Sequence, residues 1–88
     1  MSDFRLIMAK ADSAKIAMVS NRIEGEKLFD DLLKQNPTDG MIFYKRGEAY
    51  EALGENTLAA KDYQLANAFF PMPEWKGRAS AAYNRMKK

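Results

Sequence analysis

The side chains of this sequence best suited to chemistry are carboxylates. Glu24 and Glu26, Asp30 and Asp31, and Glu48 and Glu51 each bring two acids within a few residues of one another. Such pairs act as general acid and base when they flank a cleft and one of them is held protonated by its surroundings. Little else in the chain favours a reaction. It has no Cys and no His, which removes thiolate chemistry, the commonest general base and the commonest transition-metal ligand. There is no glycine-rich phosphate loop, no nucleophile–base arrangement and no metal-ligand spacing. The expectation is a protein that is not an enzyme and that uses neither metal nor cofactor.

Composition narrows the choice further. With 88 residues the chain makes one small domain, and at this size folding buries only about 60 to 65% of the unfolded surface. Hydrophobic residues make up 47% of it, enough to exclude wholesale disorder. Fourteen basic and twelve acidic residues leave a net charge of +2. That is too mild for a nucleic-acid binder, whose affinity comes from a strongly basic face. The basic end from Arg85 to Lys88 reads as a frayed polar terminus. The first ten residues interleave charge with short apolar runs and do not form a signal peptide. No apolar run approaches membrane-spanning length. A cytoplasmic protein with no membrane partner is expected.

The elements that must position these residues are helices. Ala, Leu, Met, Glu and Lys dominate, and strand-type alternation is absent. Breaks divide the chain into five pieces. The first runs from about Asp3 to Val19, capped by Ser2, with Leu6, Ala9, Ser13 and Ile16 as its apolar stripe. The second runs from Arg22 to Gln35 after the Ser20-Asn21 turn. It contributes Ile23, Phe29, Leu32 and Leu33, with Asp30 and Lys34 at favourable i,i+4 spacing. Asn36-Pro37 ends it. The third runs from Gly40 to Leu53, capped by Thr38 or Asp39 and closed by Gly54. The fourth runs from Thr57 to Phe70 with Asn56 as cap. The fifth runs from Pro73 to Lys87, with Pro73 suited to a first turn. Short connections make successive helices antiparallel.

A repeat underlies these pieces. Pro37 and Pro71 lie 34 residues apart, and at that offset Phe29 pairs with Tyr63, Gly25 with Ala59, Ile16 with Tyr50 and Ser13 with Gly47. Small matches small and large matches large, as closely crossing helices require. Within residues 40–73, Phe43, Arg46-Gly47, Tyr50, Ala59, Tyr63, Ala66 and Pro71 fall at the spacing of a helix–turn–helix repeat. This resembles the tetratricopeptide repeat. The likeness implies an all-α fold of two such repeats, 6–39 in degenerate form and 40–73, followed by a capping helix over 73–88. Trp75 and Ala79 repeat Phe43 and Gly47 at an offset of 32. The strict offset would put Gly77 at the large aromatic position instead.

The likeness further implies a protein-binding scaffold whose concave groove holds a peptide or helical segment. The groove positions would be Lys10 and Ala14, then Met41, Tyr44, Lys45, Glu48 and Glu51, then Lys76, Ser80 and Tyr83. Lys10, Tyr44, Lys45, Glu48, Lys76 and Tyr83 are the expected ligand-binding residues, and Tyr44 stands out as a large amphipathic side chain off the core stripe. A subgroup of the family grips chaperone C-terminal carboxylates with Lys, Asn and Arg. Lys10 and Lys76 fit that pattern, but Ala14, Glu48 and Ser80 depart from it, and Glu48 would repel a carboxylate. Two repeats also leave stack ends uncovered, so a self-associating segment is the alternative expectation. A small basic nucleic-acid binder is a more distant one.

Overall fold

In a computed structural model the chain is described over residues 3–87. It folds into five α-helices: α1 Phe4–Ser20, α2 Arg22–Gln35, α3 Gly40–Ala52, α4 Asn56–Phe69 and α5 Pro73–Met86. There is no strand among the described residues, and no described helix is long and apolar enough to cross a membrane. The five expected helices agree to within a residue or two at each end. Their caps are partly different. Ser2 lies outside the described residues, and Asp3 caps α1 by accepting a hydrogen bond from the Arg5 N–H at 2.9 Å. Asn21 and Asp39 cap α2 and α3 in the same way. Asn56 is the first residue of α4 rather than its cap. Gly54 closes α3 at φ 78°, where a side chain would be strained.

α3 is the central element, buried on several sides through Met41, Ile42, Phe43, Gly47, Ala49 and Tyr50. α1 and α2 form an antiparallel hairpin. Its closest point is Gly25, where an added Cβ would lie 2.1 Å from the Cα of Met18. α3 and α4 form a second hairpin, with the Tyr63 ring laid over Gly47 and Phe43 stacked on Phe69. α5 returns along α4 and reaches α3 through Trp75 and Arg85. α1, α3 and α5 run parallel, since their cross-contacts join Asp12 to Lys45, Lys15 to Glu48, and Glu51 to Arg85. The whole measures 31 × 29 × 17 Å, a slab about two helices deep.

Of the positions matched within residues 40–73, Arg46 is half-buried and Pro71 exposed, and the rest lie inside. Phe43, Gly47, Tyr50, Ala59, Tyr63 and Ala66 are all buried. Ala79 is buried and Gly77 exposed, as the shorter offset for α5 requires. Phe70 is buried and stacks on Trp75, while Phe69 is only half-buried. Phe69 is the last residue of α4, whereas Phe70 follows it with extended backbone at ψ 123°, which separates the two rings.

α1 corrects the sequence reading. Leu6, Ala9, Ser13 and Ile16 are all exposed, and the buried stripe is Ile7, Ala11, Ala14 and Met18. The connection explains the difference. One residue, Asn21, joins α1 to α2, whereas three join α3 to α4. The α1–α3 ion pairs Asp12–Lys45 and Lys15–Glu48 stand at an offset of 33 rather than 34, so an alignment fixed on α2 and α4 misplaces α1 by one residue and turns its stripe by about 100°.

Candidate functional site

The face formed by α1, α3 and α5 carries the densest set of linked charges. Lys45 Nζ stands 2.8 Å from Asp12 Oδ1 and 3.4 Å from Glu48 Oε1, and Lys15 Nζ reaches the same Glu48 oxygen at 3.4 Å. One turn further along α3, Glu51 Oε1 accepts hydrogen bonds from Arg85 at 2.8 Å and from the Tyr63 hydroxyl at 2.7 Å. The three helices converge at their N-terminal ends, where Phe4 meets Trp75 with ring centroids 6.0 Å apart. Towards their C-terminal ends they leave an open hollow of about 380 Å³, lined by Lys15, Glu48, Glu51, Ala52 and Arg85. Ile16 and Val19 of α1 stand exposed at 69% and 46% on the neighbouring turns.

These contacts set the ionisation of the face. Burial alone would lower the Lys45 ammonium, but Asp12 and Glu48 hold it above its ordinary range. Burial likewise pushes the Glu51 carboxyl up, yet the hydrogen bonds from Arg85 and Tyr63 outweigh it and hold Glu51 below the usual range. Burial pushes the Tyr63 hydroxyl up and Glu51 adds to that rise.

Three of the six expected ligand-binding residues meet here: Tyr44, Lys45 and Glu48. Tyr44 is less free than expected. It is half-buried among aromatics, 5.5 Å from the Tyr63 ring, 5.7 Å from Trp75 and 6.1 Å from Phe70. The other three lie elsewhere. Lys10 lines a separate groove between α1 and α2. Lys76 donates to the Asn67 carbonyl oxygen at 2.7 Å, steadying the last turn of α4. Tyr83 is half-buried, with Lys87 over its ring. Among the other expected groove positions, Ala14 and Met41 are buried core. Asp12, Lys15 and Arg85 take the places expected of Lys10, Ala14 and Tyr83. Their i,i+33 and i,i+34 relation to Lys45, Glu48 and Glu51 is the one signal in the sequence that points to them.

Four further carboxylates are also committed, namely Asp30, Asp62, Glu26 and Glu55. Arg46 grips Asp62 with two hydrogen bonds at 2.8 and 2.9 Å, and lies 3.8 Å from Asp30. Asp30 thus turns to α3 for a cation. Asp62 is 3% exposed. Burial pushes its carboxyl up and Arg46 offsets part of that rise. Glu26 accepts from the Tyr50 hydroxyl at 2.8 Å. Arg22 bonds both Glu26 and Glu55, tying α2 to the α3–α4 turn. Among the described residues no cluster is suited to a metal ion. No family model matches the chain, and neither a curated protein nor a solved structure was found to be similar to it.

Proposed function

We propose that this chain is a protein-interaction module of the tetratricopeptide-like kind. It takes a peptide or helical segment of a partner on the face of α1, α3 and α5. One observation carries this proposal: three helices far apart in sequence lie parallel around an open charged hollow, and α1 exposes Ile16 and Val19 within four residues of Lys15, which lines it. Such a surface offers fixed charges of both signs for orientation and apolar side chains for affinity. Its ligand contacts would come from Lys15, Lys45, Glu48 and Arg85, with Tyr44 supporting them from below. Glu51, held below the usual carboxylate range by its donors, is poorly suited to act as a general acid.

Selection from a displayed peptide library tests the proposal. Peptides that bind the 88-residue chain are retested on Arg85→Glu and Glu48→Lys, with Lys27→Glu as a control on the exposed side of α2. The expected result is at least a tenfold loss on both face variants and none on the control. Peptides indifferent to both face variants would remove the face from consideration.

A further inference from the structure

The exposed apolar side chains are unevenly distributed. Of the six large ones among the described residues, Leu6, Ile16 and Val19 belong to α1, Ile23 and Leu28 to α2, and Leu58 to α4. None belongs to α5, whose outward residues are Pro73, Glu74, Gly77, Arg78, Ala81, Asn84 and Arg85. One end of the slab is therefore polar and the other apolar. The apolar end carries a groove of about 310 Å³ between α1 and α2. Its walls are Lys10, Ser13 and Ala14 on one side and Leu28, Asp31, Leu32 and Gln35 on the other.

From this end we infer that the chain forms a two-fold symmetric dimer, each copy covering the α1–α2 groove of the other. The unequal ends decide against head-to-tail stacking, which needs two different complementary surfaces. A face that pairs with itself needs only one. The charges of the groove are complementary under that symmetry. Lys10 stands on the α1 wall and Asp31 on the α2 wall, and among the described residues neither has an ion-pair partner in its own chain. A two-fold axis lying along the groove places the α1 of one copy antiparallel over the α2 of the other. Because Met18 lies against Gly25, residues of α1 and α2 whose numbers sum to about 43 are level in the hairpin. Lys10 then comes over the partner copy's Asp31, and Ile16 over its Leu28. Both contacts occur twice. The face is about 25 Å long and about 20 Å wide, a footprint of about 500 Å² per partner, at the low end of specific interfaces.

Sedimentation velocity of the 88-residue chain over a concentration series tests the inference. The wild type is expected to shift from monomer to dimer as concentration rises. Lys10→Glu and Asp31→Lys each set like charges opposite one another and should raise the dissociation constant at least about tenfold. The double variant restores opposite charges and should recover most of the dimer. Leu28→Glu should abolish dimerisation while Leu58→Glu leaves it intact, with circular dichroism confirming that both remain helical. A wild type that stays monomeric at the highest concentration overturns the inference. So does a dimer that the two single charge changes leave unaffected, or one that the double change fails to recover. Apart from Ile16, which stands between them, this groove and the face of α1, α3 and α5 share no residue, and the variants that test one leave the other untouched, so either proposal stands if the other fails.

Discussion

Gly25→Ala is expected to destabilise the protein although it improves the helix. In an exposed helix interior, Ala is favoured over Gly by about 1 kcal/mol. At Gly25 the new Cβ would sit 2.1 Å from both the Cα and Cβ of Met18, where ordinary contact is 3.4–4 Å. Relief requires α1 and α2 to separate by more than 1 Å. The obstructing atoms are the N, Cα and Cβ of Met18, which the backbone fixes and no side-chain rotation can move away. Overpacking that side chains can absorb costs about 1–3 kcal/mol, so the cost here lies at or above the upper end of that range. After the propensity gain, a net loss of about 2 kcal/mol remains. For a domain of this size that corresponds to a fall of roughly 8–16 °C in Tm. Thermal unfolding followed by circular dichroism reads it directly. Gly77→Ala is the matched control. Gly77 also lies within a helix, but a Cβ there meets nothing within 4 Å, and a gain of about 0.5–1 kcal/mol is expected. A Gly25→Ala protein that melts at or above the wild type would refute the close crossing of α1 and α2. It would leave Gly25 as a residue that merely loosens the helix.

Asp62→Ala leaves the partly buried Arg46 with only Asp30, 3.8 Å away, and should cost about 3 kcal/mol in chemical denaturation. Replacing the pair together, by Arg46→Met with Asp62→Leu, should recover most of that loss. Burial and the hydrogen bond to Glu26 push the Tyr50 hydroxyl up from 10.0 to about 12. Its stabilisation is therefore complete below pH 10 and lost as pH rises towards about 12. Tyr50→Phe should flatten that part of the alkaline stability profile. Glu51 is held below its ordinary value of 4.5, so its contribution is present above pH 4.5 and lost as pH falls through the lowered value. Glu51→Gln should reduce the acid sensitivity of the melting temperature, and an unchanged acid profile would show that the contacts with Arg85 and Tyr63 add nothing.

The all-α architecture was legible because helix punctuation is local. Gly54, Asn36-Pro37 and Pro71 act through their own backbones, and the helices end where those residues stand. The core of residues 40–73 was legible because its small and large residues recur at fixed spacing. α1 was less so. It holds Ala9, Ala11, Ala14 and Ala17 together with Leu6, Ile7, Ile16 and Val19, so more than one stripe on it is apolar enough to face a core. The choice between stripes depends on the length of the α1–α2 connection, which residue types alone do not reveal. The candidate face inherited that uncertainty. On α3, Lys45, Glu48 and Glu51 share the charged face while Met41 is core, and on α1 and α5 Lys15 and Arg85 stand there in place of Lys10 and Tyr83.

This displacement alters what Glu48 means for binding. Considered only as a departure from a carboxylate-gripping pattern, it argues against acidic ligands, since two carboxylates repel. In the structure Glu48 is already engaged, with Lys15 and Lys45 both 3.4 Å from one of its oxygens. Pairs this long and partly exposed contribute only about 0–1 kcal/mol each, so exchanging Glu48 for a ligand carboxylate would cost little at the lysines. The cost would fall on Glu48 itself, which would have to turn to solvent or find a cation on the ligand. A segment that carries an acid and a base a few residues apart meets both requirements, because its base takes Glu48 as its acid takes the lysines. Mixed charge, rather than a free C-terminal carboxylate, is accordingly the feature that peptides selected on this face should share.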